Sequence, residues 1–117
     1  GIRMMLEIPI ATDNDAVFSL SVNLDDVSVA MRFAWNSRSS AWFLDIESVN
    51  GKNNGIRIAE KRLLLGSKNK TLPLGSDLIL LKRGVSVESG LDFFNLGSDY
   101  ILYYADKESV EALKEAI

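Results

Sequence analysis

A chain of 117 residues that is 47% hydrophobic and 25% charged, with a net charge of −3, has the size and composition of one folded domain with its own core. It has no cysteine and no histidine, which excludes disulfide staples and thiolate chemistry and removes the commonest zinc ligand and the usual general base near neutral pH. The pI near 4.9 has the wrong sign for non-specific nucleic-acid binding, and no apolar run, Leu78–Leu81 included, approaches the roughly 20 residues that span a bilayer.

Residues 1–4 read as a tag remnant or the native start, and 5–117 as a single β-rich domain. Met5–Ile10 is predicted as a short first strand, kept at an edge by Pro9, which has no amide to donate. After a polar loop, Ala16–Leu24 alternates, with Phe18, Leu20, Val22 and Leu24 on one face. Asp25 and Asp26 make a tight turn into the next run. In Val27–Trp35 every second residue is apolar (Val27, Val29, Met31, Phe33, Trp35), and in Ala41–Val49 the residues Trp42, Leu44 and Ile46 share a face. Joined by the polar loop Asn36–Ser40, the two runs predict an antiparallel hairpin.

Asn50–Gly55 is dense in turn formers, with an extended segment resuming at Ile56–Ala59. Lys61–Gly66 is ambiguous between strand and helix, because short apolar runs do not separate the two periods. A loop over Ser67–Gly75 leads to a strand at Asp77–Gly84. Val85–Gly97 is predicted to be irregular and tacked down by Phe93, Phe94 and Leu96. A last strand at Asp99–Ala105 precedes a helix capped by Asp106 and carrying Val110, Leu113 and Ile117 on one stripe. The fold class is therefore mainly β: a small antiparallel β-barrel or sandwich of six to seven strands with a short C-terminal helix.

Candidate chemistry is sparse. Asp45 and Glu47 lie about 7 Å apart on one strand face, a spacing that acid–base work permits and that solvated strand faces also produce. Asp13-Asn14-Asp15 is like the start of a calcium loop, but the twelfth position, where such a loop needs glutamate, is Leu24. Gly66-Ser67-Lys68 and Gly97-Ser98-Asp99 lack the spacing of a phosphate loop. Trp35 and Trp42 could stack on a base or sugar, although in alternating strands such residues usually serve as core or interface anchors. Of Tyr100, Tyr103 and Tyr104, the adjacent pair must point to opposite faces.

In order along the chain, Glu7–Ile10, Trp35-Asn36-Ser37-Arg38, Trp42–Ile46 with Gly51 after it, Leu64–Gly66, Leu72–Gly75, and Leu96-Gly97 leading into Tyr100–Tyr104 resemble the baseplate plug proteins of contractile-tailed phages such as cyanophages. Two features depart from that pattern. Asp25-Asp26 stands where Asp-Gly is common, and the C-terminal helix is additional. The resemblance implies a structural component of a phage or prophage baseplate, acting by protein–protein contacts without catalysis and without a cofactor. It implies partners among the other tail proteins (hub, tube, spike), no nucleic acid or membrane, a symmetric arrangement in the assembled tail, and location in the virion after assembly in the host cytoplasm. It singles out Arg38 and Trp42 as contact residues, because the loop and its flanking aromatic carry the family wording. The competing reading makes Trp42 core and Arg38 a solvated hairpin tip. The alternative function is a small-ligand or carbohydrate-binding β-barrel, which needs a concave pocket beside Trp35 or Trp42.

Overall fold

The computed structural model describes residues 5–11, 14–84 and 89–116. The alternating runs become strands: β1 (Leu6–Glu7), β2 (Val17–Leu24), β3 (Val27–Asn36), β4 (Ala41–Ser48), β5 (Gly51–Arg57), β6 (Asp77–Lys82) and β7 (Tyr100–Ala105), followed by α1 (Lys107–Ala116). They form two antiparallel sheets, a four-stranded meander β2-β3-β4-β5 and a three-stranded sheet β1-β7-β6. The sheets do not close on each other, so the architecture is an open two-sheet arrangement rather than a strict barrel. One core lies between them, with Phe33, Trp42 and Leu44 from the meander meeting Leu78, Leu80 and Leu102 from the smaller sheet.

Period-2 patterning positions this core. In β3, Val29, Met31 and Phe33 are buried while Ser28, Ala30 and Arg32 are exposed. Register sets Met31 beside Ile46 and Phe33 beside Leu44, so the apolar faces of β3 and β4 coincide. Asp25 and Asp26 both have positive φ, 48° and 67°, the geometry of a two-residue type I′ hairpin turn. At the far end, Asp106 caps α1 as expected, its Oδ1 accepting the Ser109 amide at 2.9 Å. Val110 is buried where α1 packs on β7, and Ile117 lies outside the described residues.

Several boundaries differ from the sequence reading. The first strand is two residues long; the Ile8 amide extends its pairing by donating to the Leu102 carbonyl, and Pro9 stops it there. The turn-rich run from Gly51 to Gly55 is strand rather than loop, because it pairs with β4 directly after a tight turn at Val49-Asn50. Its glycines and asparagines are accommodated by a bulge opposite Leu44–Ile46, where the Asp45 carboxylate accepts the Gly55 amide at 2.7 Å. The ambiguous 61–66 run is no α-helix: isolated bridges place Glu60 beside Leu80 and Leu63 beside Ile79, along the outer edge of β6, and a single 3-10 turn, Gly66–Lys68, begins only at its last residue.

Two buried tyrosines couple the sheets to loops. Tyr104 donates its hydroxyl to Asp25 at 2.6 Å, tying β7 to the β2–β3 turn. Tyr100, fully buried, donates to the Ser89 carbonyl at 2.9 Å. Burial pushes both phenols above their ordinary value of 10.0, with Glu60 adding to the effect at Tyr100 and the Asp25 hydrogen bond at Tyr104. Because both folded values are raised, their contribution to stability is intact below pH 10 and is lost as pH climbs beyond it. A urea titration repeated at rising pH should show stability falling only above about pH 10, together with phenolate absorbance from these two side chains.

Candidate functional site

The Trp-Asn-Ser-Arg wording ends β3 and builds the β3–β4 loop. The Asn36 Oδ1 accepts the amides of Arg38 at 2.9 Å and Ser39 at 3.1 Å, which closes the turn through a side chain. Ser40 completes it with a positive φ of 51°. Arg38 is thereby held at an exposed tip. It rims a groove of about 500 Å3 whose walls are Ala34, Trp35, Asn36, Ser37 and Phe43.

Trp42, the second predicted contact residue, lies elsewhere. It is 1% exposed, points into the core with Leu44 and Ile46, and offers no surface of its own. Its Nε1 donates to the Asp92 carbonyl at 3.1 Å. Its ring is stacked on Phe93 at 5.7 Å and meets Trp35 edge-on at 5.5 Å. Trp42 thus anchors the 90–96 loop to the hairpin, while Arg38 is exposed at the tip.

That loop supplies what the sequence reading missed. Phe93 faces the core and contacts Trp35 and Trp42, whereas Phe94 is 72% exposed, contrary to its expected role in tacking the loop down. The segment turns at Phe93–Asn95, and in that turn Phe93 takes the inner place and Phe94 the outer. The loop is firmly built beneath it. Asp92 Oδ1 accepts the amides of Phe94 at 2.8 Å and Asn95 at 3.1 Å. The Asn95 Oδ1 in turn accepts the Asp92 amide at 2.8 Å, and its Nδ2 donates to the Gly90 carbonyl at 2.9 Å. Gly97 closes the segment with φ 91°, and a Cβ there would sit 2.9 Å from the Ile10 carbonyl oxygen, so no larger residue fits. A continuous run of ring contacts therefore leads from Phe33 through Phe18, Trp42 and Phe93 to an exposed phenylalanine.

The remaining candidates are placed differently. Asp45 and Glu47 share the solvent face of the meander, each with a partner: Asp45 with Arg32 at 3.7 Å and the Gly55 amide, Glu47 with Lys52 at 3.9 Å. They flank a groove of about 420 Å3 that also takes in Ser21, Met31 and Asn54. Asp13 lies outside the described residues, and Leu24 is fully buried in the core. Among the described residues no cluster of acidic side chains could hold a metal ion, and no helix is long and apolar enough to cross a membrane.

The family model described as cyanophage baseplate Pam3 plug gp18 matches residues 5–108, so both sheets fall within the match, which ends in the first turn of α1. The chain belongs to this baseplate plug family. No curated protein matches it.

Proposed function

We propose that this member of the baseplate plug family completes a contractile-tail baseplate by fitting against neighbouring tail subunits, without a catalytic step. Its contact surface is the end of the molecule that carries Arg38 and Phe94. The observation that supports this reading is the exposed Phe94 on a loop whose backbone is fixed by Asp92, Asn95 and Trp42. An aromatic side chain held in place before binding loses little entropy on docking, and such anchors dominate interface energetics. Trp35 lines the groove that Arg38 rims and also contacts Phe93, the neighbour of Phe94, so Arg38 supplies a charged, hydrogen-bonding contact beside the aromatic one. The hub, tube and spike proteins are the partners to test first.

The test is binding of the purified chain to those tail proteins. Phe94→Ala should weaken the complex by about 2 kcal/mol, roughly 30-fold, and Arg38→Ala by somewhat less. Both side chains are exposed, so the melting temperature should stay within about 2 °C of the parent. Unchanged affinity in both variants would exclude this end as the contact surface.

A further inference from the structure

We infer that the free edge of β2 accepts an added antiparallel strand from a different protein, one whose extended segment is flanked by basic residues. β2 is the end strand of the meander. The Trp35 amide donates to the Ala16 carbonyl at 2.7 Å, and the register runs unbroken from Val17–Ala34 to Leu24–Val27. In such a ladder alternate residues bond the neighbour, here Phe18, Leu20, Val22 and Leu24. The amides and carbonyls of Val17, Ser19, Ser21 and Asn23 therefore point away from the sheet, and no described backbone group bonds them.

The other edges are guarded. Along β5, the Asn53 side chain donates to the Lys68 carbonyl at 2.8 Å and accepts the Lys70 amide at 2.9 Å, laying a loop over that edge. Bridges at Glu60 and Leu63 cover β6, and β1 is two residues long and stopped by Pro9. Among the described residues β2 has none of these devices. It is eight residues long, without charge, proline or bulge, the form of edge that templates pairing with another chain.

Charge decides the occupant. Asp15 sits at one end of β2 and Asp25 with Asp26 at the other, all exposed. A second antiparallel copy that keeps its apolar face on the core side sets Asp15 directly opposite, or diagonally beside, Asp25 of the first, and this happens at both ends. A parallel copy sets each aspartate beside its twin. Self-pairing is thus opposed, whereas a strand flanked by lysine or arginine meets the acidic ends favourably. The inference shares the premise that neighbouring subunits hold the chain, but it uses the backbone edge of β2 and not the side chains of Arg38 and Phe94.

The probe is a synthetic peptide of alternating valine and serine with two lysines at each end, compared with a twin carrying glutamates there. It needs no tail protein, so its outcome is independent of the Arg38–Phe94 test. The lysine peptide should bind the full chain at least about tenfold tighter than the glutamate peptide at low salt, with the difference shrinking as salt rises. Ser21→Pro should abolish binding, since it removes an amide that faces the open edge and leaves the β2–β3 bonds in place. Asp15→Asn combined with Asp25→Asn and Asp26→Gly, a set compatible with the I′ turn, should erase the preference between the peptides. No binding of the lysine peptide by the folded chain would overturn the proposal. So would equal binding of both peptides, or sedimentation of the parent chain as a dimer at the assay concentration.

Discussion

Replacing Trp42 with alanine should cost about 3–5 kcal/mol, the usual range for emptying a large buried aromatic site. For a domain of this size that lowers the melting temperature by well over 10 °C. The indole is 1% exposed and contacts the rings of Phe18, Trp35 and Phe93 at 5.5–5.7 Å. Its removal also leaves the Asp92 carbonyl without the 3.1 Å bond from Nε1. The damage should be local as well as global. Phe93 loses its stacking partner, so amides of the 90–96 loop should exchange faster than those of β6 and β7. Trp42→Phe keeps much of the volume and the aromatic contacts but drops the hydrogen bond, and about 1–2 kcal/mol is the expected loss. A loss below about 1 kcal/mol for the alanine variant, measured by urea unfolding, would mean that the ring cluster does not hold the hairpin to the loop.

The role of Trp42 was half visible in the sequence. Its phase, shared with Leu44 and Ile46, already points it inward, and the family wording around Arg38 drew the two residues together only because they are close in the chain. The β2–β3 and β3–β4 hairpins were legible for the same reason, since period-2 alternation and the Asp-Asp and Asn-Ser-Arg-Ser-Ser connections are local signals. β5 was not. Gly51-Lys-Asn-Asn-Gly55 has the composition of a loop, and it is a strand because β4 pairs with it and because Asp45 and Asn53 bond across the bulge and to the 68–71 loop. Those partners are tertiary, and tertiary context overrides propensity most easily in strands. Phe94 was missed because an aromatic pair in an irregular segment carries no period to say which ring turns outward.

Asp77→Ala should be nearly as damaging as Trp42→Ala, although nothing in the sequence marks Asp77 apart from other strand-start aspartates. Its carboxylate is buried, with the residue 2% exposed, and it accepts three backbone amides: Leu65 and Gly66 at 2.8 Å each and Leu78 at 2.7 Å. These bonds fasten the start of the 65–76 loop to β6, and the same loop covers the edge of β5 through Asn53. Alanine leaves the buried Leu65 and Leu78 amides without an acceptor, at about 1–3 kcal/mol for each that water cannot reach, while water can serve the exposed Gly66, so a total loss of about 3–4 kcal/mol is expected. Asparagine is close to carboxylate in shape but turns an N–H group toward at least one of the donors, so it should recover little of the loss. Asp45→Ala makes the contrast. Asp45 also accepts a backbone amide, from Gly55, but its side chain is 40% exposed and water replaces it, so less than about 1 kcal/mol should be lost. Urea unfolding of the three variants ranks them directly. Faster amide exchange at Leu65 and Gly66 in Asp77→Asn, with β3 and β4 still protected, would assign the cost to the loop anchor; equal stability of Asp77→Ala and Asp45→Ala would refute that assignment.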